Sequence, residues 1–513
     1  MENQQDKQRN CFVFAIGGTG SRVLRSLTHL LAAGMQPASF GLKPEYNFSI
    51  VPIIIDPDHM NSDLDRTNTL LKNYKAIKET AKPTEPEGFF SIEVKTLKDL
   101  AQNAEIPPEF TFKLDGADSS FKEYIGFDDM SEANRAFADL LFSGDSRKTN
   151  GDSCKLLEID MEIGFLGNPN VGSVVFSQIV GSKVYGAFVK ALKPGDRIFI
   201  ISSIFGGTGA AGFPCLLKNF REGIADANGT TNTDLKNAKV GAVSVLPYFK
   251  LLKKEGSPIS DEDFVAKTKS ALNYYEKNVT NGSVNAMYYV GDEAGDPYKN
   301  NAGGDSQKND ANFIEMIGAF SIMHFICLQD NQMAKPVYRE FGIKRDVPRA
   351  TFYDLGPIHE KLKFPLSRFT LFRKFMVEEY PRKMGKLGWS TADPQLGENF
   401  ISSEFYRTYM NPFWDDFDKW LKELFGNNRG FAPFNLDIVE DEILWPNTTL
   451  SAFIKKPSSH GGKFTYDGSG FINKGFNDYL TDFAKKKYEK IETKLLDIFY
   501  RATKEILEKE YKL

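Results

Sequence analysis

Two glycine-rich turns, each set between a short apolar run and an amphipathic stretch, constrain this chain more than any other feature. The first reads Phe12-Val-Phe-Ala-Ile-Gly-Gly-Thr-Gly-Ser-Arg22 and the second Arg197-Ile-Phe-Ile-Ile-Ser-Ser-Ile-Phe-Gly-Gly-Thr-Gly-Ala-Ala-Gly212. A buried strand, a glycine turn and a helix, in that order, aim several backbone N–H groups at one point, and the helix dipole adds attraction for an anion. One such turn also serves plain helix–strand packing, where Gly contributes only dihedral freedom. Two in one α/β unit point to a nucleotide whose phosphates are held from both sides.

At 513 residues the chain exceeds one ordinary domain, so the expectation is two domains, or one enlarged domain with a helical appendage. A net charge of −4 gives no electrostatic reason to expect nucleic acid as a partner. Cys11, Cys154, Cys215 and Cys327 are scattered without a C-x-x-C pair, which fits free thiols in a reducing compartment. The polar start, Met1 to Asn10, lacks a signal-peptide core and is expected to fray, and no apolar run is long enough to cross a bilayer. These features together predict a cytoplasmic protein without a transmembrane segment. The 43 Phe residues have core filling as their simplest use.

From Cys11 to about residue 330, short apolar runs alternate with helical periodicity, the pattern of an α/β sheet covered by helices. Strands are predicted at Cys11–Ile16, Ser49–Ile55, Arg197–Ile204, Val240–Leu246 and Asn285–Val290. Their continuous apolar character argues for parallel strands buried on both faces. Helices are predicted at Ser21–Ala33, Gly172–Ala191, Gly209–Ile224, Asp261–Asn278 and Ala311–Leu328. An insertion over about 69–160 includes a helix at Ser131–Phe142 and a polar loop at Gly144–Asp152. Beyond 330 the reading is a second α+β domain over 331–475, with Arg339–Pro348 as a basic loop. Helices are predicted there at Pro365–Tyr380 and Phe413–Phe425, and a loop at Lys455–Gly470. The end, 476–513, reads as a single amphipathic helix, Asn477–Lys512, available to a protein partner.

Further pieces of a nucleotide site follow in order. The second strand ends in Asp56-Pro-Asp58, carboxylates at the sheet edge where open α/β folds bind ligands and where Mg²⁺ can be oriented through water. Their plainer use is as an N-cap for the next helix. Gly164-Phe-Leu-Gly-Asn-Pro-Asn-Val-Gly172 is another glycine turn feeding a helix. The candidate phosphate contacts are therefore Gly17, Gly18, Thr19, Gly20 and Ser21; Asn168 and Gly172; and Gly206, Gly207, Thr208, Gly209 and Ala210.

This series resembles the tubulin/FtsZ superfamily, and more closely its divergent bacterial tubulin-like members. Phe205-Gly-Gly-Thr-Gly-Ala-Ala211 is similar to the signature loop G-G-G-T-G-[ST]-G, with Phe205, Ala210 and Ala211 departing from it. Gly17 to Arg22 is similar to the first phosphate loop of FtsZ, Asp56-Pro-Asp58 to an acidic turn of tubulin, and Asn168 to Gly172 to N-P-E-x-G. The segment Val240 to Phe249 is like the following FtsZ strand, which ends in Pro-Phe. The resemblance covers about residues 11–330. It implies a Rossmann-type GTPase domain that binds GTP or GDP with Mg²⁺ at Asp56 and Asp58, with Asn312 and Phe313 near the base at the start of a long central helix. It also implies head-to-tail self-assembly, with hydrolysis completed by an acidic loop of the adjoining subunit. No N-x-D-x-x-D motif follows the central helix, and the substitutes are Asp354, in Thr351-Phe-Tyr-Asp-Leu-Gly356, or Glu360.

Other chemistries fail on inspection. Neither glycine turn carries the Lys-Ser/Thr of a P-loop, the five His have no zinc spacing, and there is no G-x-S-x-G elbow. Three readings stay open: a GTPase that polymerises; a nucleotide-binding structural protein with little hydrolysis; and a Rossmann oxidoreductase. Gly207-x-Gly-x-x-Gly212 fits the last, but the strand after it ends in Pro247 without a ribose-binding acid.

Overall fold

The computed structural model describes residues 8–37, 46–58, 61–101, 106–112, 114–142, 156–165, 167–251, 261–292, 297–298, 309–343, 347, 349–427, 429–439, 442–444, 454 and 471–511. The loops expected at Gly144–Asp152 and Lys455–Gly470 lie outside these residues.

Seven strands form one sheet: β1 (Gln8–Ile16), β2 (Asn47–Ile55), β3 (Thr111–Phe112), β4 (Arg197–Ser203), β5 (Lys239–Val245), β6 (Ala286–Val290) and β7 (Val337–Phe341). They lie in the order β3-β2-β1-β4-β5-β6-β7, every neighbouring pair parallel. Strand order therefore reverses between β1 and β4, and the crevice beyond the carboxyl ends at that reversal is where doubly wound sheets take ligands. The fold is α/β with a parallel sheet flanked by helices, as the apolar runs require.

The strands are buried on both faces because helices cover both. On one side Phe12 and Phe14 of β1 meet Phe188 edge-on at 5.1 and 4.9 Å, and Phe14 reaches Phe220. On the other side lie α1 (Gly17–Ala32) and the central helix α8 (Phe313–Cys327). α8 is buried on every side, which its almost wholly apolar sequence permits. Its Phe325 packs on Phe199 of β4 at 5.5 Å. The longer remaining helices of this part are α2 (Ser62–Ala81), α3 (Glu132–Phe142), α4 (Pro169–Ser177), α5 (Lys183–Ala191), α6 (Gly207–Glu222) and α7 (Asp261–Asn278).

Several expectations need correction. The helix predicted at Gly172–Ala191 is two, α4 and α5, separated by a short 3₁₀ turn at Ile179–Gly181. The basic segment taken as a loop from Arg339 begins inside β7, an edge strand whose consecutive Tyr338, Arg339 and Glu340 are all exposed, so no alternation betrayed its β character. β3 is too short to leave a sequence signal. Gln8–Asn10 belong to β1 rather than to a frayed end; Asp196 accepts from the Asn10 backbone N–H at 2.8 Å.

Beyond the sheet the longer helices are α9 (His359–Glu378), α10 (Asn411–Gly426), α11 (Phe471–Phe483) and α12 (Ile491–Tyr511). The expected single C-terminal helix is interrupted between α11 and α12. α12 is not a free docking element: Leu495, Leu496, Ile498 and Phe499 are fully buried, and Phe499 stacks on Phe372 at 4.5 Å. Much of the phenylalanine excess is used here. Phe89, Phe90, Phe369, Phe372, Phe413 and Phe417 form one aromatic cluster with Trp414, each favourable pair adding about 0.5–1.5 kcal/mol beyond its buried area.

α10 is joined to α1 through buried charge. Arg25, fully buried, donates to Asp416 at 2.8 Å and to Glu423 at 2.5 Å, and His29 meets the same Asp416 at 2.9 Å. Burial alone would raise the Asp416 carboxyl, but the Arg25 guanidinium and the His29 hydrogen bond hold it well below the usual carboxylate range. Burial lowers His29, which lies among Phe413, Phe417 and Trp420. Asp416→Ala leaves the buried Arg25 guanidinium with Glu423 as its one carboxylate and removes the partner of His29, so chemical denaturation is expected to show a loss of about 3–5 kcal/mol at pH 7. Loss below about 1 kcal/mol would show that Arg25 finds another partner.

Candidate functional site

Four turns meet at the carboxyl edge of the β1/β4 crevice. Gly17 opens α1 at φ +74°, a conformation that favours glycine, and a Cβ built there would stand 3.5 Å from the Thr208 Cβ and 3.8 Å from the Gly209 nitrogen. On its other flank the second turn touches the third: a Cβ on Gly207 would lie 3.0 Å from the nitrogens of Gly167 and Asn168. The third turn closes on the acidic one, since a Cβ on Gly164 would lie 3.9 Å from the Asp58 Cβ. The turns therefore point to one side of the molecule, the condition that a shared ligand imposes.

Three helix N-termini open into this crevice. α1, α4 and α6 have Ile16, Asn168 and Gly206 at their N-caps, without a side-chain cap and without an acidic residue in the first turn. The first N–H groups of a helix have no partner within it, so this edge gathers helix-end donors and the positive ends of three dipoles. Main chain alone can serve a multiply charged anion here.

The sequence-derived residues divide by what surrounds them. Gly17, Gly18, Thr19, Asn168, Gly206, Gly207, Thr208 and Gly209 belong to the converging turns. Ala210 is half-buried one residue further along α6. Gly20 and Gly172 have close packing as their use. A Cβ on Gly20 would meet the Ala15 backbone at 2.8 Å, and one on Gly172 would meet the Ala211 Cβ at 2.7 Å. Ser21 turns away from the crevice, fully buried, and its hydroxyl donates to the Asp63 carbonyl at 3.1 Å.

Asn312 is the N-cap of α8, accepting from the Ile314 N–H at 2.9 Å, while Glu315 accepts from the Asn312 N–H at 2.9 Å. Phe313 is 1% exposed and is core. Asp354 has a local use as well: its Oδ2 accepts from the Thr351 N–H and hydroxyl at 2.7 and 2.8 Å in a capping box. Four residues earlier, Ala350 pairs with Phe431, and Arg429 reaches Asp292 just past β6. Asp354 thus lies toward the carboxyl edge, the same end as the glycine turns. An acid serving the next subunit of a head-to-tail stack must lie at the opposite end. Glu360, beginning α9, pairs with His359 and Lys363.

Sequence reasoning missed a buried charge network behind the first turn. Arg22 donates to Glu315 at 2.5 Å, to Asp63 at 2.8 Å and to the hydroxyls of Tyr248 and Thr19 at 3.1 and 3.3 Å. Burial disfavours its guanidinium, but Glu315, Tyr248 and Asp63 outweigh that and raise it well above its ordinary value. α1, α2 and α8 are thereby locked around Thr19. Also missed was Lys267 of α7, whose Nζ donates to the Gly167 carbonyl at 2.6 Å and braces the third turn. Neither had a local motif to betray it, because apart from Thr19 the partners lie 41 to 293 residues away.

Asp56 and Asp58 are nearly fully buried, and the Asp56 Oδ1 accepts from the Asp58 N–H at 3.2 Å. Burial, with Asp58 beside it, pushes the Asp56 carboxyl up to about 8. Two crowded carboxylates are hard-oxygen donors of the kind that suits Mg²⁺. Among the described residues no group of three or more His, Cys, Asp or Glu could hold a metal by itself, so phosphate and water would have to complete the ligand set.

No protein-family model and no curated protein sequence matches this chain. Among solved structures it is similar to TubZ of Bacillus thuringiensis serovar israelensis, a GTPγS-form protofilament, with 12% identity, 84% of each chain covered and a TM-score of 0.26. A similarity of that size decides nothing about this protein. Among the described residues no helix is long and apolar enough to cross a membrane.

Two outcomes test the site. Thr208→Asp places a carboxylate in the first turn of α6, where the dipole favours it by about 0.3–1 kcal/mol. The melting temperature should hold or rise while nucleotide affinity, read by calorimetry, collapses; equal affinity would remove the second turn from the site. For Asp56 the folded chain holds the proton more tightly than the unfolded chain. Its contribution therefore falls by about 1.4 kcal/mol per pH unit from the ordinary carboxylate range to about 8 and levels off above. Asp56→Asn should flatten that slope in denaturant titrations without divalent cations; an unchanged slope would place the titration elsewhere.

Proposed function

We propose that this protein binds GTP with Mg²⁺ in the β1/β4 crevice and assembles head to tail in a tubulin-like manner, the next subunit completing hydrolysis. The observation that supports it best is the convergence of four turns and three uncapped, acid-free helix N-termini at the strand-order reversal. A triphosphate would take its contacts from the N–H groups of Gly17 to Thr19 and Gly206 to Gly209, with Asn168 at the terminal phosphate. Asn312 and Phe313 would border the base only through the opening of α8, since the Asn312 side chain caps its own helix. Mg²⁺ at Asp56 and Asp58 would neutralise phosphate charge. The residues of this chain supply positioning and dipoles rather than covalent chemistry.

For hydrolysis across a stacked interface the better-placed acid is Asp330. α8 runs away from the crevice, and Asp330 follows its end on the amino edge, its side chain 58% exposed and steadied by Arg197 at 3.2 Å. Asp354, the sequence-based choice, lies at the wrong end for this. Phosphate release should rise with protein concentration, and Asp330→Ala should lower it roughly 100-fold with GTP affinity unchanged, whereas Asp354→Ala should have little effect. GTP binding without concentration-dependent release would favour the structural, non-hydrolysing reading. The oxidoreductase reading is disfavoured because Asp56, the acid at the end of β2, is buried beside Asp58 rather than open to a ribose.

A further inference from the structure

Thr19 sits in the first turn of α1, and the one hydrogen bond to its side chain sets the direction of its hydroxyl. Arg22 donates from Nη2 to the Thr19 Oγ1 at 3.3 Å. A guanidinium has donors only, so the threonine oxygen must accept here and its own proton points away from Arg22. Among the described residues nothing accepts that proton. Thr28, further along the same helix, shows the ordinary use of such a hydroxyl, donating to the Leu24 carbonyl at 2.8 Å. Thr19 is only 8% exposed, so solvent is a poor substitute, and a buried donor without an acceptor costs stability. Two residues earlier, Gly17 is where the first turn meets Thr208 and Gly209 of the second. The unused proton therefore belongs to the turn that lines the crevice.

Arg22 itself is held from several sides. Its Nε donates to Glu315 at 2.5 Å, its Nη1 to Asp63 at 2.8 Å and its Nη2 to the Tyr248 oxygen at 3.1 Å. Burial raises the Tyr248 hydroxyl well above its ordinary value, so it keeps its proton and donates it to Glu315 at 2.6 Å. The second Glu315 oxygen accepts from the Asn312 N–H at 2.9 Å, and Asp63 accepts from Arg66 at 2.8 Å. The partners stand on α2, on α8 and past β5, so the guanidinium cannot swing without breaking contacts to all three. Two carboxylates offset its charge, and the residue is 5% exposed. Arg22 thus offers a ligand neither a free charge nor a surface to touch, and its route to the crevice runs through the Thr19 hydroxyl.

We infer that Arg22 is a positioning residue: it fixes the Thr19 hydroxyl as a donor aimed at an anionic oxygen of the crevice ligand, a phosphate oxygen on the GTP reading above, on which this inference rests. An anionic oxygen carries lone pairs and no proton, so a hydroxyl already committed to donating matches it. A donor set before the ligand arrives also spares the cost of ordering it on binding. A lysine at this position keeps the charge but lacks the planar fork that reaches two carboxylates, a phenol and a threonine at once.

The test is a double-mutant cycle on the full chain, read by calorimetry with GTP and Mg²⁺ and, separately, with tripolyphosphate, beside a thermal melt of each variant. Thr19→Val keeps the shape without the hydroxyl and should lower GTP affinity at least about tenfold, and Thr19→Ser should restore most of it. Arg22→Lys should lower affinity while Thr19 is present and have no further effect in the Thr19→Val background, because both changes act on one bond. If Arg22→Lys does not melt cooperatively, Arg22→Met/Asp63→Asn/Glu315→Gln, which removes the buried charges together, takes its place in the cycle. Unchanged affinity of Thr19→Val, or an Arg22 loss that persists in full without the hydroxyl, would overturn the inference and leave the nucleotide site standing. A wild-type chain that binds tripolyphosphate but not GTP overturns the function proposed above instead, and the same cycle with tripolyphosphate then decides the role of Arg22. A chain that binds neither overturns both.

Discussion

The rest of the structure depends on the close approach of two helices at the point where strand order reverses. α1 and α6 leave adjacent parallel strands in the same direction, and their first turns press together at Gly17, Thr208 and Gly209. Side chains would hold those backbones apart. A Cβ at Gly209 would stand 2.7 Å from the Ser203 carbonyl, and one at Gly212 would strike the ring of Phe176 at 2.6 Å. The same economy of side chain that permits the packing leaves the N–H groups bare, so packing and anion binding have one cause.

α1 carries this arrangement into the rest of the molecule. From its N-terminal turn downward, Arg22 is fixed by Asp63 and Glu315, and Arg25 and His29 are fixed by Asp416 and Glu423. Ion pairs this deep cost desolvation and are retained only where every partner is in place. Glu423 accepts from the Ala311 N–H as well as from Arg66, so α10 also touches the start of α8. The N-terminal sheet and the C-terminal helices are thus joined by charge on one side and by the aromatic cluster around Phe369 and Phe372 on the other.

The long apolar strands were legible because burial on both faces leaves no polar residue to blur them, and β1, β2 and β4 to β6 fall within three residues of expectation at each end. β7 was not legible, since an edge strand carries exposed charge and reads as a loop. The turn residues were legible as a set, but their separate uses were not. Gly17 and Gly207 lie where turns meet, whereas Gly20 and Gly172 are glycine for the sake of a neighbouring backbone or side chain. Ser21 sits within the motif yet bonds to α2, because the fifth residue of α1 stands a full turn, about 6 Å, along the helix axis from Gly17.

Sequence by itself determined the class of fold and the segments that carry the glycine turns, because strand burial and turn chemistry are local properties written in consecutive residues. Only the tertiary structure decided that those turns share one crevice, that Asp354 and Asp330 lie at opposite ends of the chain's sheet, and that Arg22 and Arg25 are buried against carboxylates tens to hundreds of residues away. Those facts depend on strand order and helix direction, which bring distant residues together, and no local pattern encodes that distance.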